Sequence, residues 1–108
     1  EWGYHERAIA SFDKVLAIQP DDYEAWADKG NSLVILGRNG EAIACYDKAL
    51  TFKPEYYKAH SNRGNALLNL GKFQRAIACY DRAIKIQPHD PEVWYNRGCA
   101  LMAFEKLE

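Results

Sequence analysis

Pro20, Pro54 and Pro88 stand 34 residues apart, and most other informative positions keep the same step. Gly3, Gly37 and Gly71 repeat at 34, as do Gly30, Gly64 and Gly98, Ala8, Ala42 and Ala76, and Asp13, Asp47 and Asp81. Residues 23–56 laid over 57–90 match at 15 of 34 positions. A fixed period of this length marks a stack of repeated units, each burying its apolar face only against its neighbours. The 108 residues hold about three such units, roughly the minimum for a stable stack.

Each period carries two helical patterns. Ala25, Trp26, Lys29, Gly30, Leu33 and Leu36 recur at three- and four-residue steps and share one helix face. Gly37 then ends the helix, because glycine tolerates the left-handed conformation. Ala42, Ile43, Tyr46, Ala49 and Leu50 lie along a second stripe that stops before Pro54. Asp90-Pro91-Glu92 reads as a helix start, with Asp90 as cap, Pro91 in the first turn and Glu92 at the positive end of the dipole. Six helices are expected, at about 3–17, 22–36, 40–52, 56–70, 73–86 and 91–105, with short connections that make successive helices antiparallel.

The small residues of Gly30, Gly64, Gly98, Ala42 and Ala76 are expected where helices approach closely, with Phe12, Trp26, Tyr46 and Tyr80 filling the space. Asn39-Gly40 stands where the next unit has Phe73-Gln74, which gives the helix near residue 40 a poor start. Lys29, Arg63 and Arg97 share the period of Asp13, Asp47 and Asp81, so the pairs Asp13–Lys29, Asp47–Arg63 and Asp81–Arg97 are predicted.

Trp26-x-x-Lys29-Gly30-x-x-Leu33, then Gly37, Ala42-x-x-x-Tyr46, Ala49 and Pro54, resembles the tetratricopeptide repeat over the whole chain. The resemblance implies an all-α solenoid, a right-handed superhelix of antiparallel helix pairs. Residues 1–22 would be the second helix of a partial repeat, 23–56 and 57–90 full repeats, and 91–108 the first helix of another. Lys29, Arg63 and Arg97 depart from the leucine usual in the family, and Leu33, Leu67 and Leu101 from the usual tyrosine. The Asn-Arg-Gly wording resembles bacterial members. A chain that opens and closes inside a repeat suits a segment of a longer protein, and Leu107-Glu108 resembles the junction before a purification tag as much as a natural helix end.

In this family the first helix of each pair lines a concave groove. Carried over, Asn31, Lys58, Asn62, Asn65, Tyr95 and Asn96 become the candidate peptide-binding residues. A carboxamide offers donor and acceptor together, which matches the backbone of an extended peptide; the alternative is local bonding or plain solvation. The columns resemble the asparagine ladder of the protein O-GlcNAc transferases, interrupted here by Asp28. Family co-chaperones clamp an acidic C-terminal chaperone peptide with two Asn, two Lys and one Arg. Asn31 and Asn62 match the amides, but Ala27, Glu92 and Asn96 occupy the basic places. A neutral or mildly basic protein segment is therefore the expected partner, and an acidic chaperone peptide is not.

Other classes find little support. Fourteen basic against fifteen acidic side chains argue against nucleic acid or an anionic membrane, and no apolar run could span a bilayer. His5, His60 and His89 are scattered and no Cys/His set has ligand spacing, so neither enzyme activity nor a metal or other cofactor is expected. Three cysteines do not suggest a disulfide framework and favour a reducing compartment such as the cytoplasm. The alternative function is an architectural spacer or self-associating segment. Trp2, Phe12 and Leu16 at one end, and Leu101, Met102 and Phe104 at the other, belong to helices without their usual neighbours, so head-to-tail contact between copies is expected.

Overall fold

A computed structural model describes residues 3–107. Six helices follow in order: α1 (Tyr4–Ile18), α2 (Tyr23–Ile35), α3 (Asn39–Phe52), α4 (Tyr57–Asn69), α5 (Phe73–Ile86) and α6 (Pro91–Leu107). They form two compact units, α1–α3 and α4–α6, divided between Pro54 and Glu55. The described residues contain no strand, and the fold is an all-α helical repeat. None of these helices is long and apolar enough to cross a membrane.

The turns are where the sequence placed them. Gly37 and Gly71 adopt φ of 77° and 76°, the left-handed region where a side chain is strained. The amides that follow close the helix ends, Arg38 N–H onto Leu33 C=O at 2.8 Å and Lys72 N–H onto Leu67 C=O at 2.9 Å. Each turn folds the chain back so that α3 packs on α2 and α5 packs on α4. At the start of α2 the Asp22 carboxylate accepts from Ala25 N–H at 3.0 Å. Helix α3 has no such cap; Arg38 instead holds the Glu41 carboxylate by two bonds of 2.7 Å across its first turn.

Two tyrosines organise the cores. Tyr46 in the first unit and Tyr80 in the second are 1% and 0% exposed. A Cβ added at Gly30 would lie 2.8 Å from the Tyr46 ring, and one at Gly64 would lie 2.8 Å from the Tyr80 ring. The absent side chain is thus the seat of the aromatic ring. Each hydroxyl, carried deep into the pair, donates to an asparagine carbonyl at 2.6 Å, Tyr46 to Asn31 and Tyr80 to Asn65. Burial is the main cause that pushes both phenols far above their ordinary range. Ala42, Ala49, Ala76, Ala83 and Leu67 are fully buried beside them.

Gly98 breaks the series. A Cβ there meets nothing within 4 Å, and among the described residues no aromatic ring is seated against it. The expectation of a close approach at Gly98 is corrected accordingly. Leu16, named with the amino-terminal end of the chain, is a buried residue of α1. Trp2, placed with it in that expectation, and Glu108 lie outside the described residues.

Two of the predicted charge pairs are present. Lys29 Nζ meets Asp13 at 2.7 Å and Arg97 Nε meets Asp81 at 2.6 Å, with both acids about half exposed. Such pairs contribute about 0–1 kcal/mol each. The third would join Asp47 of one unit to Arg63 of the other and remains a prediction.

Candidate functional site

Within the second unit, α4 and α6 run along the same side of α5. Their N-terminal ends are tied by Tyr57, whose hydroxyl donates to Asp90 at 3.0 Å. Asp90 uses its other oxygen to accept from Glu92 N–H at 3.0 Å, so one carboxylate both starts α6 and fastens it to α4. Burial first, and the bond to Asp90 second, hold the Tyr57 phenol above its ordinary range.

Between these helix ends lies a hollow of about 300 Å³, walled by Tyr57, Lys58, Ser61, Asn62, Asp90, Glu92 and Val93. Val93 is buried and supplies an apolar floor; Ser61 is buried, Asn62 half-buried, and Lys58 and Glu92 are exposed at the rim. One lysine faces two carboxylates, so the hollow carries a net negative balance. Its donors and acceptors are those an extended polypeptide can satisfy.

The candidate residues fall into three groups. Lys58 and Asn62 line the hollow. Tyr95 and Asn96 sit on α6 beyond it, Tyr95 with 73% of its surface exposed and Asn96 half-buried. Asn31 and Asn65 have their carbonyls committed to the buried tyrosines, so at most their NH2 ends could serve a ligand. Asn31 belongs to the first unit, where Asp22, Glu24 and Asp28 give α2 an acidic side. Burial, then repulsion from Glu24 and Asp22, raises the Asp28 carboxyl above the usual range.

Tyr57 and Asp90 were not among the candidates. Asp90 read only as a helix cap, and the Tyr57 column ends at Pro91, so no repeated feature pointed to their bond.

The two buried cysteines sit in different surroundings. Burial pushes Cys45 above the ordinary thiol range, and Cys79 accepts from Arg63 Nη1 at 3.1 Å. Among the described residues, no three His, Cys, Asp or Glu side chains gather as a metal site.

Paired antiparallel helices with glycine seats for a partner aromatic define a helical repeat domain, and comparison with known proteins gives the family. Models described as tetratricopeptide repeat match residues 57–90, 79–108 and 1–22, and one described as TPR repeat matches 30–71, leaving only 23–29 unmatched. The chain belongs to the tetratricopeptide repeat family, whose members include non-catalytic protein-interaction modules.

Solved structures share the fold. The first TPR of Spaghetti (RPAP3), bound to the HSP90 peptide SRMEEVD, has a TM-score of 0.90 at 22% identity, over 94% of this chain and 80% of that one. The Sgt2 TPR domain of Aspergillus fumigatus gives 0.90 at 18%, over 95% and 70%. The second TPR domain of human RPAP3, in complex with the HSP70 peptide SGPTIEEVD, gives 0.85 at 21%, over 89% and 80%. No curated protein sequence matches the chain.

Proposed function

We propose that this chain is a non-catalytic binding module that holds a neutral or mildly basic peptide segment along the α4–α6 face. The observation that carries the reading is the hollow at the helix ends, lined by Lys58, Ser61 and Asn62 of α4 and by Asp90 and Glu92 at the start of α6. Asn62 would bond the peptide backbone, and Tyr95 and Asn96 would extend the contact along α6. Asp90 and Glu92 would receive a lysine, an arginine or an amino terminus. The proteins of like fold that carry EEVD peptides support a peptide as the ligand class. The local charge argues for the opposite sign of peptide.

Fluorescence anisotropy with two labelled peptides tests this: SRMEEVD, and the same peptide with lysine at its three acidic positions. The lysine peptide should bind more tightly, and Asn62→Ala should weaken it about tenfold, the loss of one desolvated hydrogen bond. Glu92→Lys should reverse the preference. Wild-type protein that favours SRMEEVD would overturn the reading.

A further inference from the structure

We infer that the hollow between α4 and α6 receives the free amino terminus of a polypeptide, in preference to a lysine or arginine side chain within it. The inference rests on the peptide-binding reading and names the group that the site selects. Lys58, Ser61 and Asn62 of α4 face Asp90 and Glu92 at the start of α6 across one hollow of about 300 Å³. Ligand hollows run from roughly that size upward, so this one suits a chain end better than a length of chain.

Ser61 points to a ligand independently of charge. The residue is 6% exposed, yet among the described residues no group bonds its hydroxyl. A hydroxyl on a helix can return to the carbonyl four residues back, as Thr51 does to Asp47 at 2.9 Å; Ser61 does not. No side-chain oxygen or nitrogen among the described residues is both wholly buried and unbonded. The Ser61 hydroxyl therefore keeps an opening, and the hollow it lines is where it opens.

The acidic wall is fixed in direction. Asp90 accepts from Glu92 N–H through Oδ1 and from the Tyr57 hydroxyl through Oδ2, both at 3.0 Å. Each oxygen keeps a second lone pair, so the carboxylate is held still and can accept again. Tyr57 is in this sense a positioning residue. Lys58 and Glu92 are exposed, and neither makes an ion pair among the described residues.

An amino terminus matches both walls at once. Its ammonium lies about 3 Å from the carbonyl oxygen of its own residue, through a single carbon. Asp90 and Glu92 can take the ammonium while Lys58, Ser61 and Asn62 donate to that carbonyl, and buried Val93 meets the first side chain. A lysine or arginine side chain brings donors only. It would suit the acids but set a bare cation against Lys58, with no acceptor for that ammonium. The lysine ammonium also ends a four-carbon stem, which keeps the nearest carbonyl away from the donors.

Fluorescence anisotropy on the whole chain tests this with three peptides labelled at the carboxyl end. They are SRMKKVK with a free amino terminus, the same peptide acetylated, and SRMAAVA with a free terminus. Acetylation should weaken binding about tenfold or more, the loss of a charge-assisted bond. Replacing all three lysines should change it by less than about threefold. Ser61→Ala should cost both free-terminus peptides about tenfold. Asp90→Asn keeps a helix cap while removing the charge, and should erase the difference between free and acetylated peptide at unchanged helical content. Tyr57→Phe should narrow that difference without erasing it. Equal binding of free and acetylated SRMKKVK, with SRMAAVA weaker than both, overturns the inference and leaves peptide binding in place, with lysine side chains as the group received. Binding of none of the three overturns both. A Ser61→Ala variant that holds the free terminus as tightly as wild type also overturns the inference.

Discussion

The α4–α5 pair and helix α6 carry the same residues around a shared glycine, yet one is a closed core and the other an open surface. Gly64 is wedged against the Tyr80 ring, while a Cβ at Gly98 would meet no atom within 4 Å beyond its own stretch of helix. Asn-Arg-Gly at 62–64 and 96–98 is word for word identical, so the difference lies wholly in what comes next in space. A repeat residue has no fixed role; its neighbour gives it one. The largest effect expected here comes from placing leucine at each site. Gly64→Leu overpacks the crossing and should cost about 1–3 kcal/mol. Gly98→Leu removes a helical glycine without a clash and should gain up to about 1 kcal/mol in the monomer. Thermal melts of the two variants at low concentration read the contrast directly, and equal losses would dissolve it.

The same logic applies at the starts of α3 and α5, on a smaller scale. Gly40 and Gln74 are equivalent, and both lie in the first turn of their helices. Gly40 carries the backbone freedom of glycine without using it: its φ is not positive and its Cβ position is open. The Arg38–Glu41 pair, with two bonds of 2.7 Å, braces a turn that lacks a side-chain cap. Hydrogen bonding to Arg38 holds the Glu41 carboxyl below its usual range. Gly40→Ala should stabilise the protein by roughly 0.5–1 kcal/mol. Chemical denaturation at constant m-value would measure the gain; a loss would show that α3 needs the glycine.

The fold was legible because period, glycine turns and proline stops all fall on helix boundaries, and the expected helices lie within two residues of the observed ones. The site was legible only in outline. Asn31 and Asn65 are in the expected columns, but a linear pattern does not show that Tyr46 and Tyr80 reach them from 15 residues away. The Tyr57–Asp90 bond joins residues that do not share a column. Gly98 misled for a different reason: column identity predicts equivalent packing only where an equivalent partner helix is present among the described residues.

The smallest effect concerns Asp28, which occupies in α2 the place of Asn62 in α4 and Asn96 in α6. Three equivalent helices thus present an acid and two amides, and only the acid titrates. Burial, with Glu24 and Asp22 adding repulsion, raises its carboxyl in the folded chain above the unfolded value. Below the unfolded value the group is protonated in both states and contributes nothing. As pH rises through the folded value, the folded chain must create a charge that the unfolded chain holds more easily, and stability is lost. Asp28→Asn removes that burden while keeping the shape. The variant should melt slightly higher than wild type at neutral pH, by less than Gly40→Ala, and the gap should close below about pH 4, where the acid is neutral in both states. Raising the ionic strength should shrink the part of the gap due to Glu24 and Asp22 and leave the part due to burial. A gap that persists unchanged into acid would mean that the carboxamide gains through a new hydrogen bond, and the acid–amide contrast along the first helices would then be one of shape.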